Sequence, residues 1–256
     1  MSDILAGKVV VVTGGSSGLG RATCLSAARH GARMVFVSDV TEDPREGGRP
    51  TADEIRAAGG KAEFVPANVT RRADVDALIA ATESLGGVDV VVANAGITLS
   101  VDDADVTEGE FDRLMAVNLK GVLFTAQAAA LQMRRLGKKG SIVLTASMGG
   151  LSGSALTVAY STSKGGVVLL AKSLADALGP DGIRVNSVSP GLIDTHLLRK
   201  TPGVAEAAEG FRQRTPLRRL GQPSEVGDAI AWLGSDLSSY VSGISLLVDG
   251  GLLSVI

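Results

Sequence analysis

Tyr160 and Lys164 lie one helical turn apart in the stretch Ala159-Tyr-Ser-Thr-Ser-Lys164. Residues four apart share one face of a helix, so a phenol and an ammonium can serve a single small site. A free phenol, with a pKa near 10, moves protons poorly around neutrality, but a neighbouring cation stabilises the phenolate. Bringing the group toward 7 takes roughly three units, or about 4 kcal/mol, which one desolvated ammonium and a cationic cofactor can supply together. Tyr160 is therefore a candidate general acid/base.

A second group of residues addresses a phosphate rather than a proton. In Lys8-Val-Val-Val-Val-Thr-Gly-Gly-Ser-Ser-Gly-Leu-Gly20 a β-branched apolar run meets a glycine cluster, and a helical stretch follows through Arg29. Glycines at 14, 18 and 20 allow a tight turn and let backbone N–H groups approach a ligand with no Cβ in the way. A diphosphate fits at the N-terminus of the helix, where unpaired donors and the positive dipole end converge. The spacing differs from the common G-x-G-x-x-G fingerprint. A second apolar run, Arg33-Met-Val-Phe-Val-Ser38, ends at Asp39, 19 residues past Gly20. An acidic residue at that offset, on a strand tip, is placed for the adenosine ribose hydroxyls. Its charge repels a 2′-phosphate, and no Arg or Lys stands beside it or within Gly14–Gly20. The expected cofactor is NAD rather than NADP.

With these features in order, the chain resembles the short-chain dehydrogenase/reductase family along essentially its whole length. Thr13-Gly-Gly-Ser-Ser-Gly-Leu-Gly20 resembles the family's cofactor loop, with Gly14, Ser16, Ser17, Gly18 and Leu19 as the implied contacts. Asn94-Ala95-Gly96 is similar to its strand-4 motif and Tyr160-Ser-Thr-Ser-Lys164 to its Tyr-x-x-x-Lys. Ser147, 13 residues before Tyr160, resembles the catalytic serine, and Asn118 in Val117-Asn-Leu-Lys-Gly121 the structural and proton-relay asparagine. Pro190-Gly191 with Ile193 and Thr195 resembles the segment that grips the nicotinamide amide. Where the family usually has Asp-Val, this chain has Asn68-Val69; Asn keeps an acceptor and adds a donor for adenine. The resemblance implies that Tyr160 exchanges the proton, Ser147 fixes the reacting oxygen, Lys164 acidifies Tyr160 and binds the nicotinamide ribose, and Asn118 holds a water linking Lys164 to solvent. The cofactor supplies the hydride chemistry.

The elements that must position these groups alternate along the chain. Apolar runs near 8–12, 33–37, 62–65, 88–92, 141–145, 183–188 and 244–248 interleave with helical stretches near 18–29, 51–58, 71–84, 107–135, 157–178 and 223–233. Runs as continuous as Val88-Asp-Val-Val-Val92 suit strands covered on both faces. The expectation is one α/β domain over 1–256, a Rossmann-type doubly wound parallel sheet of about seven strands with helices on both faces. Thr107-Glu-Gly-Glu110 has the form of a capping box opening the fourth helix. Thr41–Pro50, rich in Pro and Gly, is expected to be a surface loop near the adenosine end. Residues 192–215 break the alternation after the sixth strand and are expected to form a lid over substrate and nicotinamide.

Composition narrows the partners. A net charge of −2 without a long basic tract argues against nucleic acid, and no apolar run approaching 18 residues is apparent, so no membrane span is expected. The N-terminus has an early acid and no sustained apolar region, unlike a signal peptide. Cys24 is the only cysteine, which is compatible with the cytoplasm and expected to be a buried thiol. No metal site is expected. Gly149 and Gly150 leave space beside Ser147, and Leu99, Leu151, Leu192 and Leu197 are candidate apolar walls, so the substrate is read as a largely apolar secondary alcohol or ketone. His196 is either a polar contact from the lid or solvated loop. The apolar C-terminus, Leu252–Ile256, suggests a partner-facing patch, and the resemblance implies a homotetramer. An NADPH-dependent carbonyl or 3-ketoacyl reductase, a non-catalytic nucleotide sensor, and an isomerase or dehydratase with bound NAD are the alternatives.

Overall fold

The computed structural model describes residues 3–99, 105–153, 155, 157–200 and 204–255, with the side chains of 204–206 left out. Residues 201–203 of the expected lid and Ile256 of the apolar C-terminus lie outside the described residues.

The valine runs make a sheet because β-branched side chains fit a pleated surface covered on both sides. β1 (Val9–Thr13) is buried at every position, as is β4 (Val90–Ala93). Around them lie β2 (Met34–Asp39), β3 (Ala62–Pro66), β5 (Gly140–Thr145), β6 (Ile183–Pro190) and β7 (Ser245–Val248). All pairs are parallel, in the order β3-β2-β1-β4-β5-β6-β7. The period of two along a strand sorts side chains to opposite faces. Val9 and Val11 enter one core with Val91, Ala126, Met133 and Val167, while Val10 and Val12 enter the other with Cys24, Val90, Val226 and Ile230. Burial raises the Cys24 thiol well above its ordinary pKa, so it is an inert packing group.

Helices cover both faces. α1 (Gly18–Arg29), α2 (Thr51–Ala57) and α10 (Pro223–Gly234) lie on the second core, with α1 packed along α10. On the first core lie α3 (Arg72–Ala80), α5 (Val122–Arg135) and α7 (Val158–Leu178). The strand order reverses between β1 and β4, and in such sheets the crevice at the strands' carboxyl ends receives ligands.

Four expectations change in detail. The helix read over 107–135 begins with the expected capping box, in which Thr107 N donates to Glu110 Oε2 (3.0 Å) and Glu110 N to Thr107 Oγ1 (3.4 Å). It is divided, however, into α4 (Glu108–Met115), a π-helical turn (Ala116–Gly121) and α5. The statement that no segment has the length and apolarity of a membrane span is corrected: the continuous helix Glu108–Arg135 passes that test by composition. Its apolar residues have another explanation, because Val122, Ala126, Ala129 and Met133 are buried in the core under the sheet. The lid segment contains two helices that its mixed composition did not announce, α8 (His196–Lys200) and α9 (Val204–Arg214), and a further short helix, α6 (Gly149–Ser152), follows β5. At the C-terminus, Leu252 is fully buried while Val255 is exposed, so the apolar tail is only partly a surface patch.

Candidate active site

The catalytic candidates converge at the carboxyl ends of β4 and β5. Ser147 follows β5, and its Oγ accepts a hydrogen bond from Gly149 N at 3.2 Å, which fixes the hydroxyl at the start of α6. Tyr160, in the first turn of α7, is hydrogen-bonded to Ser147 through its hydroxyl. One turn on, Lys164 is 3 % exposed; its Nζ donates to Thr145 O at 2.8 Å and stands 5.7 Å from the centre of the Tyr160 ring. The i, i+4 spacing thus puts phenol and ammonium in one pocket, as the sequence implies.

Their electrostatics differ from the simplest expectation. Burial is the largest influence on Tyr160 and raises its pKa, with the Ser147 hydrogen bond opposing. Burial also makes the charge of Lys164 costly and lowers its pKa to about 8, which leaves it mostly protonated at neutral pH. The ammonium is oriented toward a main-chain carbonyl rather than toward the phenol oxygen.

Asn118 sits inside the π-helical turn, fully buried. Its Oδ1 accepts from Ile97 N (2.9 Å), and its Nδ2 donates to Ile97 O (3.0 Å) and Ser163 Oγ (3.3 Å). The side chain is thereby committed to pinning the segment after β4 onto α7. A Cβ built at Gly96 would lie 3.5 Å from both Asn118 Oδ1 and Lys164 Nζ, so Gly96 sits against both side chains.

The glycine loop has the shape of an anion cradle. Gly14 and Gly18 take φ of 67° and 53°, which L side chains rarely adopt. A Cβ at Gly20 would lie 1.9 Å from Gly14 O and 2.6 Å from Asn94 Nδ2, so only glycine lets α1 start this close to the loop. The seat at the helix N-terminus already holds an anion: Gly18 N donates to Glu46 Oε1 at 2.9 Å. Leu19 follows in the first turn of α1 and packs partly buried against the second core. The carboxylate accepts from this N–H as a phosphate oxygen would, in keeping with an anion seat at a helix N-terminus.

Several residues read as cofactor contacts also hold the cradle together. Asn94 Nδ2 donates to Thr13 O (3.0 Å), Asn94 Oδ1 accepts from Thr145 Oγ1 (3.3 Å), and Ala95 N donates to Thr13 Oγ1 (3.2 Å), tying the ends of β1, β4 and β5. Ser16 is buried, with its Oγ donating to Thr41 O at 2.6 Å, and Ser17 Oγ accepts from Arg45 N at 2.8 Å. Asn68 Oδ1 accepts from Thr70 N and Thr70 Oγ1, while Val69 is buried in the first core. Asp39 is half-buried at the tip of β2, accepting from Val40 N (2.8 Å) and Ser16 N (3.4 Å).

Beyond β6, Pro190 O accepts from Met148 N, Gly191 packs against Asp249, and Ile193 is buried. Thr195 caps α8 and approaches Gly18, its Cγ2 4.0 Å from where a Gly18 Cβ would be. A cavity of about 530 Å³ runs between the glycine loop, Arg45 and Glu46, and the segment Asp194–Arg199, with His196 in its wall. The volume is within the usual range of ligand sites. His196 thus faces the phosphate end rather than Tyr160, which its loop composition did not reveal. Of the apolar walls, Leu99 is buried against Leu114 and Tyr160, Leu192 is half-buried, and Leu151 and Leu197 are exposed. Leu151, Gly149 and Gly150 line a second hollow of about 410 Å³ together with Val158 and Thr162.

Comparison with known proteins agrees with this geometry. A family model described as enoyl-(acyl carrier protein) reductase matches residues 14–253. The chain is 41 % identical to L-rhamnose 1-dehydrogenase (NAD(P)(+)) of Azotobacter vinelandii over 253 residues, covering 97 % of this chain and 98 % of the relative. It is 40 % identical to cyclopentanol dehydrogenase of a Comamonas species, covering 95 % and 96 %. The crystal structure of a short-chain type dehydrogenase/reductase from Mycobacterium marinum superposes with a TM-score of 0.88 at 38 % identity, covering 97 % of this chain and 96 % of that one.

Proposed function

The chain belongs to the short-chain dehydrogenase/reductase family, and from that premise we propose that it interconverts a secondary alcohol and a ketone with NAD, Tyr160 acting as general acid/base. The observation that carries this reading is the junction of Ser147, Tyr160 and Lys164 at the sheet's carboxyl edge, beside a glycine cradle whose N–H donates to an anion.

In oxidation, Tyr160 Oη takes the proton of the substrate hydroxyl, and Ser147 Oγ donates a hydrogen bond to the reacting oxygen and holds it in place. Lys164 stands behind the phenol as the local cation and, with Tyr160, would hold the nicotinamide ribose. Asn118 keeps the Ile97 backbone fixed and would hold a water that links Lys164 to solvent. Gly14, Gly18 and Leu19 would hold the diphosphate, Asp39 the adenosine ribose, Asn68 and Val69 the adenine side, and Pro190, Gly191, Ile193 and Thr195 the nicotinamide side. When bound, the nicotinamide supplies the hydride acceptor in oxidation and the hydride donor in reduction. A lid role for 192–215 is supported by Asp194, Thr195 and the α8 residues His196 and Arg199 lining the cavity, and limited proteolysis with and without NAD plus substrate tests it.

NAD is favoured because a carboxylate at Asp39 repels a 2′-phosphate. Dual use of NAD and NADP is the second reading, supported by the name of the A. vinelandii relative. The substrate class is supported by two relatives named for alcohols carried on rings, a sugar and cyclopentanol. The sugar relative argues for a wider range than the apolar alcohols read from the leucines. A panel of cyclic secondary alcohols and sugars, assayed for NADH absorbance with NAD and with NADP, tests all three statements. Equal kcat/KM for the two cofactors would overturn the NAD preference. A homotetramer is proposed on the exposed Leu131 and Leu169 of α5 and α7, and a monomeric mass by light scattering would refute it.

A further inference from the structure

We infer that the 41–50 loop carries a built-in competitor for the cofactor's phosphates: the Glu46 carboxylate occupies the anion seat at the N-terminus of α1, and dinucleotide binding displaces it. The inference rests on the dinucleotide reading of this site and adds a device that sets the affinity there.

α1 begins without help from its own residues. Ser17, at its N-cap, makes no side-chain cap, and the first turn contains no acid. Helix N-termini left in this state attract anions. Here the anion comes from 28 residues away, with Gly18 N donating to Glu46 Oε1 at 2.9 Å. The contact is not an isolated touch of a loose loop. Ser16 Oγ donates to Thr41 O, Arg45 N donates to Ser17 Oγ, and Thr51 Oγ1 donates to Gly15 O at 3.0 Å, so the loop is stitched to the cradle at its start, middle and end. Pro44 is buried beneath the stitches, although the residues on either side of it are exposed.

The same geometry makes Glu46 removable. Its own residue is exposed, and it is followed by Gly47 and Gly48 at φ of 79° and 93°, backbone that pivots without a Cβ clash. One N–H cannot serve a carboxylate at hydrogen-bonding distance and a phosphate as well. The cradle therefore binds its own carboxylate when alone and exchanges it for the ligand, so Glu46 lowers cofactor affinity and hastens cofactor release. The effect concerns only phosphate-bearing ligands, because the adenosine carboxylate, Asp39, lies on another element.

Glu46→Ala is expected to tighten NADH binding about fivefold in a fluorescence titration, the scale of one anion at a helix N-terminus. Glu46→Gln should fall between the two proteins, and Glu42→Ala, which removes another exposed carboxylate of the loop, should leave the value at that of the wild type. Adenosine, which has no phosphate, should compete with NADH equally well in wild type and Glu46→Ala once the change in NADH affinity is allowed for. Unchanged or weaker NADH binding in Glu46→Ala overturns the inference, as does equal tightening of adenosine, which would mean general opening of the loop. A wild-type protein that bound neither NADH nor NADPH would instead overturn the dinucleotide reading beneath it.

Discussion

The two ends of the site are built from different materials. At the adenosine end, recognition rests on backbone N–H groups, positive-φ glycines and solvent-facing carboxylates, with Glu46 already on the donor. At the catalytic end it rests on side chains withdrawn from water, with Lys164 fully covered and its pKa lowered to about 8. A backbone cradle is inexpensive to keep ready because its donors face water or a replaceable carboxylate. A buried ammonium destabilises the fold that contains it, so that end exchanges stability for chemistry. The first end should tolerate altered side chains and fail when glycine is replaced; the second should gain stability when its chemistry is removed.

The largest expected effect is at the catalytic end. Tyr160→Phe should lower kcat by about 10³-fold or more, within the range usual for loss of a general acid/base, while NADH affinity measured by fluorescence stays within a few-fold. Retained turnover would remove Tyr160 from the mechanism. Lys164→Met should abolish most turnover and yet stabilise the fold. The sign follows from the shift: the folded protein holds this proton less tightly than the unfolded chain, whose value is near 10.5. Wild-type stability is therefore penalised below about pH 8, rises with pH between the two values, and levels off above them. The span corresponds to about 3 kcal/mol, less the partner lost by Thr145 O, so a net gain of about 1–2 kcal/mol is expected at pH 7. Urea denaturation at pH 7 and pH 10 measures it, and a variant less stable than wild type at pH 7 would contradict the account.

At the adenosine end, Gly20→Ala should weaken NADH binding at least about tenfold and destabilise the protein by about 2–3 kcal/mol, since a Cβ 1.9 Å from a main-chain oxygen forces the backbone to move. An intact cradle in that variant would mean that the close approach is not needed. A smaller effect is expected at Asp39. Asp39→Asn should raise the NADP-to-NAD ratio of kcat/KM by about tenfold, the worth of roughly 1.4 kcal/mol, with little change in stability because an amide oxygen still accepts from Val40 N.

Much of the molecule was legible in order and type. Valine runs announced the strands, Thr107 and Glu110 announced their cap, and the spacing of Tyr160 and Lys164 carried over into the pocket because a helix converts four residues into one turn. Less legible was what each polar side chain would do. Asn94 and Ser16 read as cofactor contacts and Asn118 as a structural and proton-relay residue, and the fold also uses their side chains to bind its own backbone, a choice made by whichever unpaired main-chain groups pack nearest. The π-helical turn at Asn118 and the helices within 192–215 also left no periodic signal, since short or irregular turns depend on tertiary contacts more than on composition.

The sequence by itself determined the alternation of strands and helices, the glycine positions that permit a cradle, the acid at the end of β2, and the phenol–ammonium pair. These are written in short-range spacing, and covalent geometry enforces them wherever the chain goes. Only the tertiary structure decided that Lys164 would be dry enough to lose most of its preference for charge, that Asn118 would secure Ile97, and that Glu46 would reach Gly18. Burial and contacts between distant residues are sums over the whole packed chain, and no local stretch contains them.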